Sequence, residues 1–94
     1  MADLASVRAT VYGQVQGVGF RYFTSKYAAA LNLTGFVHNL PDGEAVEVIA
    51  EGERGKLEQF ISQFRSGPGI ARVERIETDW SEYTGSYPDF SIRH

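Results

Sequence analysis

Three residues within "VYGQVQGVGFRYF", Val11 to Phe23, are of the types that capture an oxyanion: Gly17, Gly19 and Arg21. An alternating apolar segment precedes them and a helical pattern follows. A glycine-bearing loop that feeds a helix amino terminus turns several backbone N–H groups toward one point. The helix dipole makes that point positive. Glycine permits φ > 0 and places no side chain in a ligand's way. Arg21 falls in the first helical turn, where a planar guanidinium grips two phosphate oxygens at once. The same glycines also serve as plain turn residues, and spacing alone leaves both readings open. Two nucleotide loops are excluded. The dinucleotide fingerprint needs a third glycine where Tyr22 stands, and a P-loop ends in Gly-Lys-Ser/Thr, which Phe20-Arg21-Tyr22 does not provide.

The second candidate is Asn39. An asparagine shortly before Pro41-Asp42-Gly43 reads first as a turn residue bonding its own backbone. A chemical role for it depends on what the fold places beside it, and so on the elements.

Val7, Ala9, Val11, Gly13 and Val15 alternate with Arg8, Thr10, Tyr12 and Gln14, which is a strand with one polar face. Gly13 reads as a bulge or a point of close packing. Phe20, Phe23, Tyr27 and Leu31 then recur at helical spacing, with Ala28, Ala29 and Ala30 supplying propensity. Asn32 stands where a left-handed residue ends a helix. Gly35 to Asn39 is a second strand. Pro41-Asp42-Gly43 predicts a hairpin between Phe36–Asn39 and Ala45–Glu51, with Val46, Val48 and Ala50 alternating with Glu47 and Ile49. Gly52 reads as the break that ends this strand. Leu57, Phe60, Ile61 and Phe64 form one stripe of a second helix, closed by "SGPG". Val73 to Trp80 is a fourth strand. Arg72, Glu74, Ile76, Thr78 and Trp80 lie on one face and Val73 among charges on the other, which leaves its inward register open. Phe90 and Ile92 suggest a short fifth strand.

The order strand, helix, strand, strand, helix, strand implies an α+β fold. Two helices with single apolar stripes cover one face of an antiparallel sheet, the ferredoxin-like βαββαβ sandwich with a short fifth strand. Its usual strand order is four-one-three-two. Strands one and two are then parallel with strand three between them, so the loop after Val15 and Asn39 meet at one sheet edge. Two strand spacings, roughly 10 Å, separate their axes. An arginine and a bound phosphoryl group can span that distance.

Other groups read as bystanders. His38 should face away from Asn39, and His94 stands at the end of the given sequence. Neither has a second ligand at metal spacing, so no metal and no cofactor is expected. Asp42 belongs to the turn, and Glu44 and Glu47 read as solvated strand residues. Thr24, Ser25 and Ser62 have no adjacent base and read as helix surface. The five tyrosines do not form an RNP-type signature.

The chain of 94 residues reads as one domain, 1–94, able to bury roughly 60–65% of its unfolded surface. A formal charge of −3 disfavours broad binding to nucleic acid or anionic membranes. The absence of cysteine excludes disulfides and thiolate chemistry. The amino-terminal "MADLASVRA" has no signal-like apolar run, so a cytoplasmic location is the expectation. No apolar surface stripe demands a dimer, and a monomer is expected.

"VYGQVQGVGFR" and, further on, "LTGFVHNLPDGEAVEVIAEG" closely resemble the two signatures of the acylphosphatase family. "GIARVERIETDW" and "FSIRH" are similar to the family's last strands. Phe36 stands where the family usually has tryptophan, His38 where a basic residue is common, and Asn32 where a glycine often ends the helix. The resemblance implies a free-standing enzyme that hydrolyses a carboxyl–phosphate mixed anhydride to a carboxylate and inorganic phosphate. It implies that Arg21 binds the phosphoryl group and that Asn39 positions the attacking water. Gln16, Gly17, Val18, Gly19 and Phe20 would supply the amide cradle. The partner would be a small acyl phosphate, with no nucleic acid and no membrane. Two other readings remain: a non-catalytic acyl-phosphate or phosphate sensor, and a structural domain that binds a protein along a sheet edge.

Overall fold

A computed structural model describes residues 3–94; Met1 and Ala2, part of the expected 1–94 unit and of the amino-terminal stretch, lie outside the described residues. The elements are β1 Leu4–Gln14, α1 Phe20–Ala30, β2 Thr34–Asn39, β3 Ala45–Glu53, α2 Arg54–Phe64, β4 Arg72–Glu82 and β5 Phe90–Arg93. The sheet order is β4-β1-β3-β2-β5. This is the expected ferredoxin-like arrangement, with β3 between the parallel strands β1 and β2. The sheet is not wholly antiparallel as expected. β5 pairs parallel to β2, with Val37 opposite Ile92 and His38 opposite Arg93. The segment after β4 crosses to the far edge before re-entering the sheet, and that crossing sets the direction.

Both helices cover the same sheet face, α1 over β2 and β5, α2 over β1 and β3. The face they cover carries Val7, Ala9, Val11, Val37, Val46, Val48 and Ala50, all buried. Phe20, Leu57, Phe60 and Phe64 come down onto it from the helices. Burying each such side chain is worth roughly 1.5–3 kcal/mol, so the helices are held by tertiary packing rather than by propensity.

The register of β4, left open by its pattern, follows from a bulge. Pairing with β1 shifts between Tyr12 and Gly13: Tyr12 faces Arg75, but Gly13 faces Val73. The extra residue, Glu74, flips the parity, so Val73, Ile76 and Trp80 all pack against the core. Gly13 is required at this bulge. Its φ is 135°, and a Cβ there would lie 2.0 Å from the Arg72 carbonyl oxygen.

Three readings are corrected. Gly52 does not end β3, which runs to Glu53; the Leu33 side chain fills the space beside Gly52, where a Cβ would come within 2.6 Å of it. Thr24 is not helix surface but wholly buried, its hydroxyl donating to the Phe20 carbonyl at 2.9 Å. Glu47 is half-buried, 2.7 Å from His38 Nε2 and near Arg8. Asn32 does end α1 in the left-handed region, with φ 56°. Glu51 is buried on the open face of the sheet. It accepts from the Thr84 amide at 3.1 Å, the Thr84 hydroxyl at 2.7 Å and the Gly85 amide at 2.9 Å. Burial alone would raise its pKa. Hydrogen bonds from Thr84, Gly85 and Ser6 outweigh that and hold it below the ordinary 4.5.

Candidate active site

β1 ends at Gln14, and the chain must turn to enter α1 on the helix face of the sheet. Gly17 and Gly19 make that turn with φ values of 72° and 81°, a region L side chains avoid. A Cβ at either would meet no atom within 4 Å, so it is backbone conformation and open access, not crowding, that calls for glycine. Gly19 is the N-cap of α1. It makes no side-chain cap bond, and no acidic residue lies in the first turn. The Phe23 amide is already bonded to the Gly19 carbonyl at 3.0 Å. The amides of Phe20, Arg21 and Tyr22 precede it and have no intrahelical acceptor. The positive pole of α1 therefore has no side-chain cap and no acidic residue in its own first turn.

Alternation on β2 settles Asn39. Gly35 and Val37 are buried toward the helices, and Asn39 follows on the same face, while Phe36 and His38 face the other way. The end of β2 runs past the core, beneath the start of α1. A cavity of about 180 Å³ forms there, lined by Val15, Gly17, Gly19, Phe20, Arg21, Tyr22, Asn39, Ile92 and His94. That exceeds by far the roughly 10–15 Å³ needed for one water. Asn39 Oδ1 is buried and has no hydrogen-bond partner among the described residues. An amide oxygen removed from solvent without a donor is costly, so it calls for one from a ligand or water. Asn39 is thus not the turn residue its neighbourhood suggested; Asp42 makes that turn, its Oδ1 accepting from the Glu44 amide at 2.9 Å.

The structure brings Arg21, Asn39, Gly17, Gly19 and Phe20 to one cavity. Gln16 and Val18 do not line it. They line a separate, larger depression of about 710 Å³, together with Tyr12, Asp42 and Glu74. The Gln16 side chain serves another purpose: its Nε2 donates to the Leu40 and Ala45 carbonyls, both at 2.8 Å. It ties the glycine loop to the hairpin that carries Asn39. Phe20 is buried with its ring against Phe64, so only its backbone is at issue. Arg21 is half-buried, and its Nη1 donates to the Arg93 carbonyl at 3.2 Å. His94, set aside in the sequence, lines the cavity because β5 runs beside β2. Neither Gln16's side-chain role nor His94's place has a local sequence signal; both depend on strand pairing.

The fold and the site together define a split βαβ domain with an oxyanion-ready helix terminus and an unsatisfied carboxamide beside it. A family model described as acylphosphatase matches residues 7–92. A curated acylphosphatase of Dehalococcoides mccartyi is 48% identical over 88 residues, covering 94% of this chain and 97% of that one. One from Thermus thermophilus is 51% identical over 77 residues, covering 82% and 86%. The crystal structure of the acylphosphatase from Bacillus subtilis superposes with a TM-score of 0.91 at 37% identity, covering 98% of this chain and all of that one. This chain belongs to the acylphosphatase family, and its activity is that of an acyl-phosphate hydrolase.

Proposed function

We propose that the cavity-lining loop amides of Gly17, Gly19 and Phe20 and the Arg21 guanidinium hold the phosphoryl group of a small acyl phosphate while Asn39 orients the attacking water. The observation that carries this is Asn39, which lines the same cavity as Arg21 and the N-terminus of α1 and whose buried Oδ1 has no hydrogen-bond partner among the described residues. Residues 1–94 are read as a single acylphosphatase-like domain.

An acyl phosphate is already activated, because its leaving group is a stabilised carboxylate. The protein's work is to hold the phosphoryl group and to place water in line with the bond that breaks. In a loose transition state negative charge spreads over three equatorial oxygens, and the amides and Arg21 are set toward them beforehand. Asn39 Oδ1 accepts one water hydrogen and turns a water lone pair toward phosphorus. The water oxygen bonds to phosphorus and the P–O bond to the acyl group breaks, its electron pair leaving on the carboxylate. The water's proton passes to a phosphoryl oxygen. His94 lines the cavity but its Nδ1 is already engaged with Arg21, so it does not act as the base at that nitrogen. By analogy with other phosphoryl-transfer arginines, Arg21 is worth ~10³–10⁵ in rate.

The test is phosphate release from benzoyl and acetyl phosphate by the wild-type protein and by Arg21→Ala. The wild type should turn over both, with inorganic phosphate as a competitive inhibitor. Arg21→Ala should lose turnover and inhibition together while its circular dichroism stays native. A variant that retained wild-type rates would remove Arg21 from the site.

A further inference from the structure

His94 is held in place by strand pairing. β2 and β5 are parallel with His38 opposite Arg93, so the next residue of each, Asn39 and His94, emerge side by side at the sheet edge. Both line the cavity with Arg21. Arg21 Nη1 lies 3.2 Å from His94 Nδ1 as well as 3.2 Å from the Arg93 carbonyl oxygen. A guanidinium carries donors and no acceptor, so in this contact the imidazole must accept: Nδ1 holds a lone pair and any ring proton sits on Nε2.

We propose that His94 is a positioning residue, which fixes the Arg21 guanidinium for phosphoryl binding by accepting from Nη1. The inference rests on the role proposed for Arg21. An arginine side chain on the first turn of a helix has many rotamers, and ordering it opposes ligand binding. Two acceptors, the carbonyl of the last β5 residue and the imidazole that follows it, hold one terminal nitrogen before any ligand arrives. The remaining N–H groups are left for an oxyanion, which a fork anchored at one tine meets in a single orientation. The other basic group of this strand end does not compete for the cavity: the Arg93 guanidinium stacks on the Phe36 ring on the opposite sheet face, 3.7 Å from its centroid. The strand end thus contributes a carbonyl and an imidazole to the site while turning its own positive charge away.

The decisive pair is His94→Ala and His94→Asn. Asparagine carries Oδ1 near the place of Nδ1, so it can still accept from Arg21, whereas alanine cannot. The readouts are KM and kcat for benzoyl phosphate, the inhibition constant of inorganic phosphate, and the melting temperature. His94→Ala should raise KM and the phosphate inhibition constant about three- to tenfold, the worth of one hydrogen bond with the Arg93 carbonyl still present. His94→Asn should return both to within about twofold of wild type, with melting temperatures alike in all three proteins. Unchanged constants in His94→Ala, or a His94→Asn variant as weak as alanine, would overturn the positioning role while leaving the hydrolase reading intact. A wild-type protein that neither turned over benzoyl phosphate nor was inhibited by phosphate would instead overturn the function on which this inference rests.

Discussion

Gln16 offers the sharpest test of how the site is assembled, because its side chain and its backbone do different things. The two bonds from Nε2 join the glycine loop to both ends of the hairpin after Asn39. Gln16→Ala removes them and leaves the amide in place. Neither carbonyl is then orphaned: Ala45 still accepts from the Leu40 amide at 2.9 Å, and Leu40 from the Gly43 amide at 3.3 Å. The cost therefore sits at the low end for hydrogen bonds, about 0.5–1 kcal/mol each, or roughly 1–2 kcal/mol in all. For a chain of this size that lowers the melting temperature by roughly 4–16 °C. Gln16→Glu keeps the length but replaces the donor by a charged acceptor facing two carbonyl oxygens. It should lose more stability than alanine, and the loop should move away from the hairpin. Misplacement by about 1 Å can cost ~10²-fold in rate, so kcat/KM should fall at least tenfold in Gln16→Glu. Thermal unfolding followed by circular dichroism, paired with phosphate release from benzoyl phosphate, measures both. A glutamate variant as stable and active as wild type would refute the reasoning: the side chain would then be a passenger, and something else would set the loop-to-hairpin distance.

Asn39→Ala should lower kcat by ~10²–10³ while KM and phosphate inhibition change little, because the carboxamide is assigned to water; steady-state kinetics would show a pure KM effect if Asn39 instead bound substrate. Glu51 gives the pH dependence. Its folded-state pKa is depressed, so its contribution is complete above the ordinary 4.5 and is lost as pH falls below that toward the folded value. Urea midpoints measured from pH 6 down to pH 3 should fall more steeply in wild type than in Glu51→Gln, and parallel curves would mean that the carboxylate's bonds to Thr84 and Gly85 do not stabilise the charged form.

Much of the fold is legible because local rules and the tertiary structure agree. Alternation from Val7 to Val11, the stripe Leu57, Phe60 and Phe64, and the left-handed Asn32 each express a short-range constraint that the core then reinforces. The readings that fail do so where a neighbour far along the chain decides. Thr24 reads as polar surface because its hydroxyl is polar; a carbonyl four residues back satisfies it, and the packing of α1 on the sheet buries it. Gly52 reads as a break because nothing nearby says that Leu33 will occupy the space a side chain would need. The parity of β4 depends on one inserted residue opposite Gly13, which alternation within β4 cannot reveal.

The site divides along the same line. The sequence by itself determined the chemical kit: glycines that admit a left-handed turn, a guanidinium in the first helical turn, and a carboxamide at the end of a strand. These are properties of single residues and their immediate neighbours. Only the tertiary structure decided that Asn39 Oδ1 would be buried with no donor among the described residues, that Gln16 would spend its side chain on the hairpin, and that His94 would stand beside Arg21. Each of those is a contact between segments brought together by strand pairing, and pairing is settled by the burial of whole faces rather than by the residues that meet at their ends.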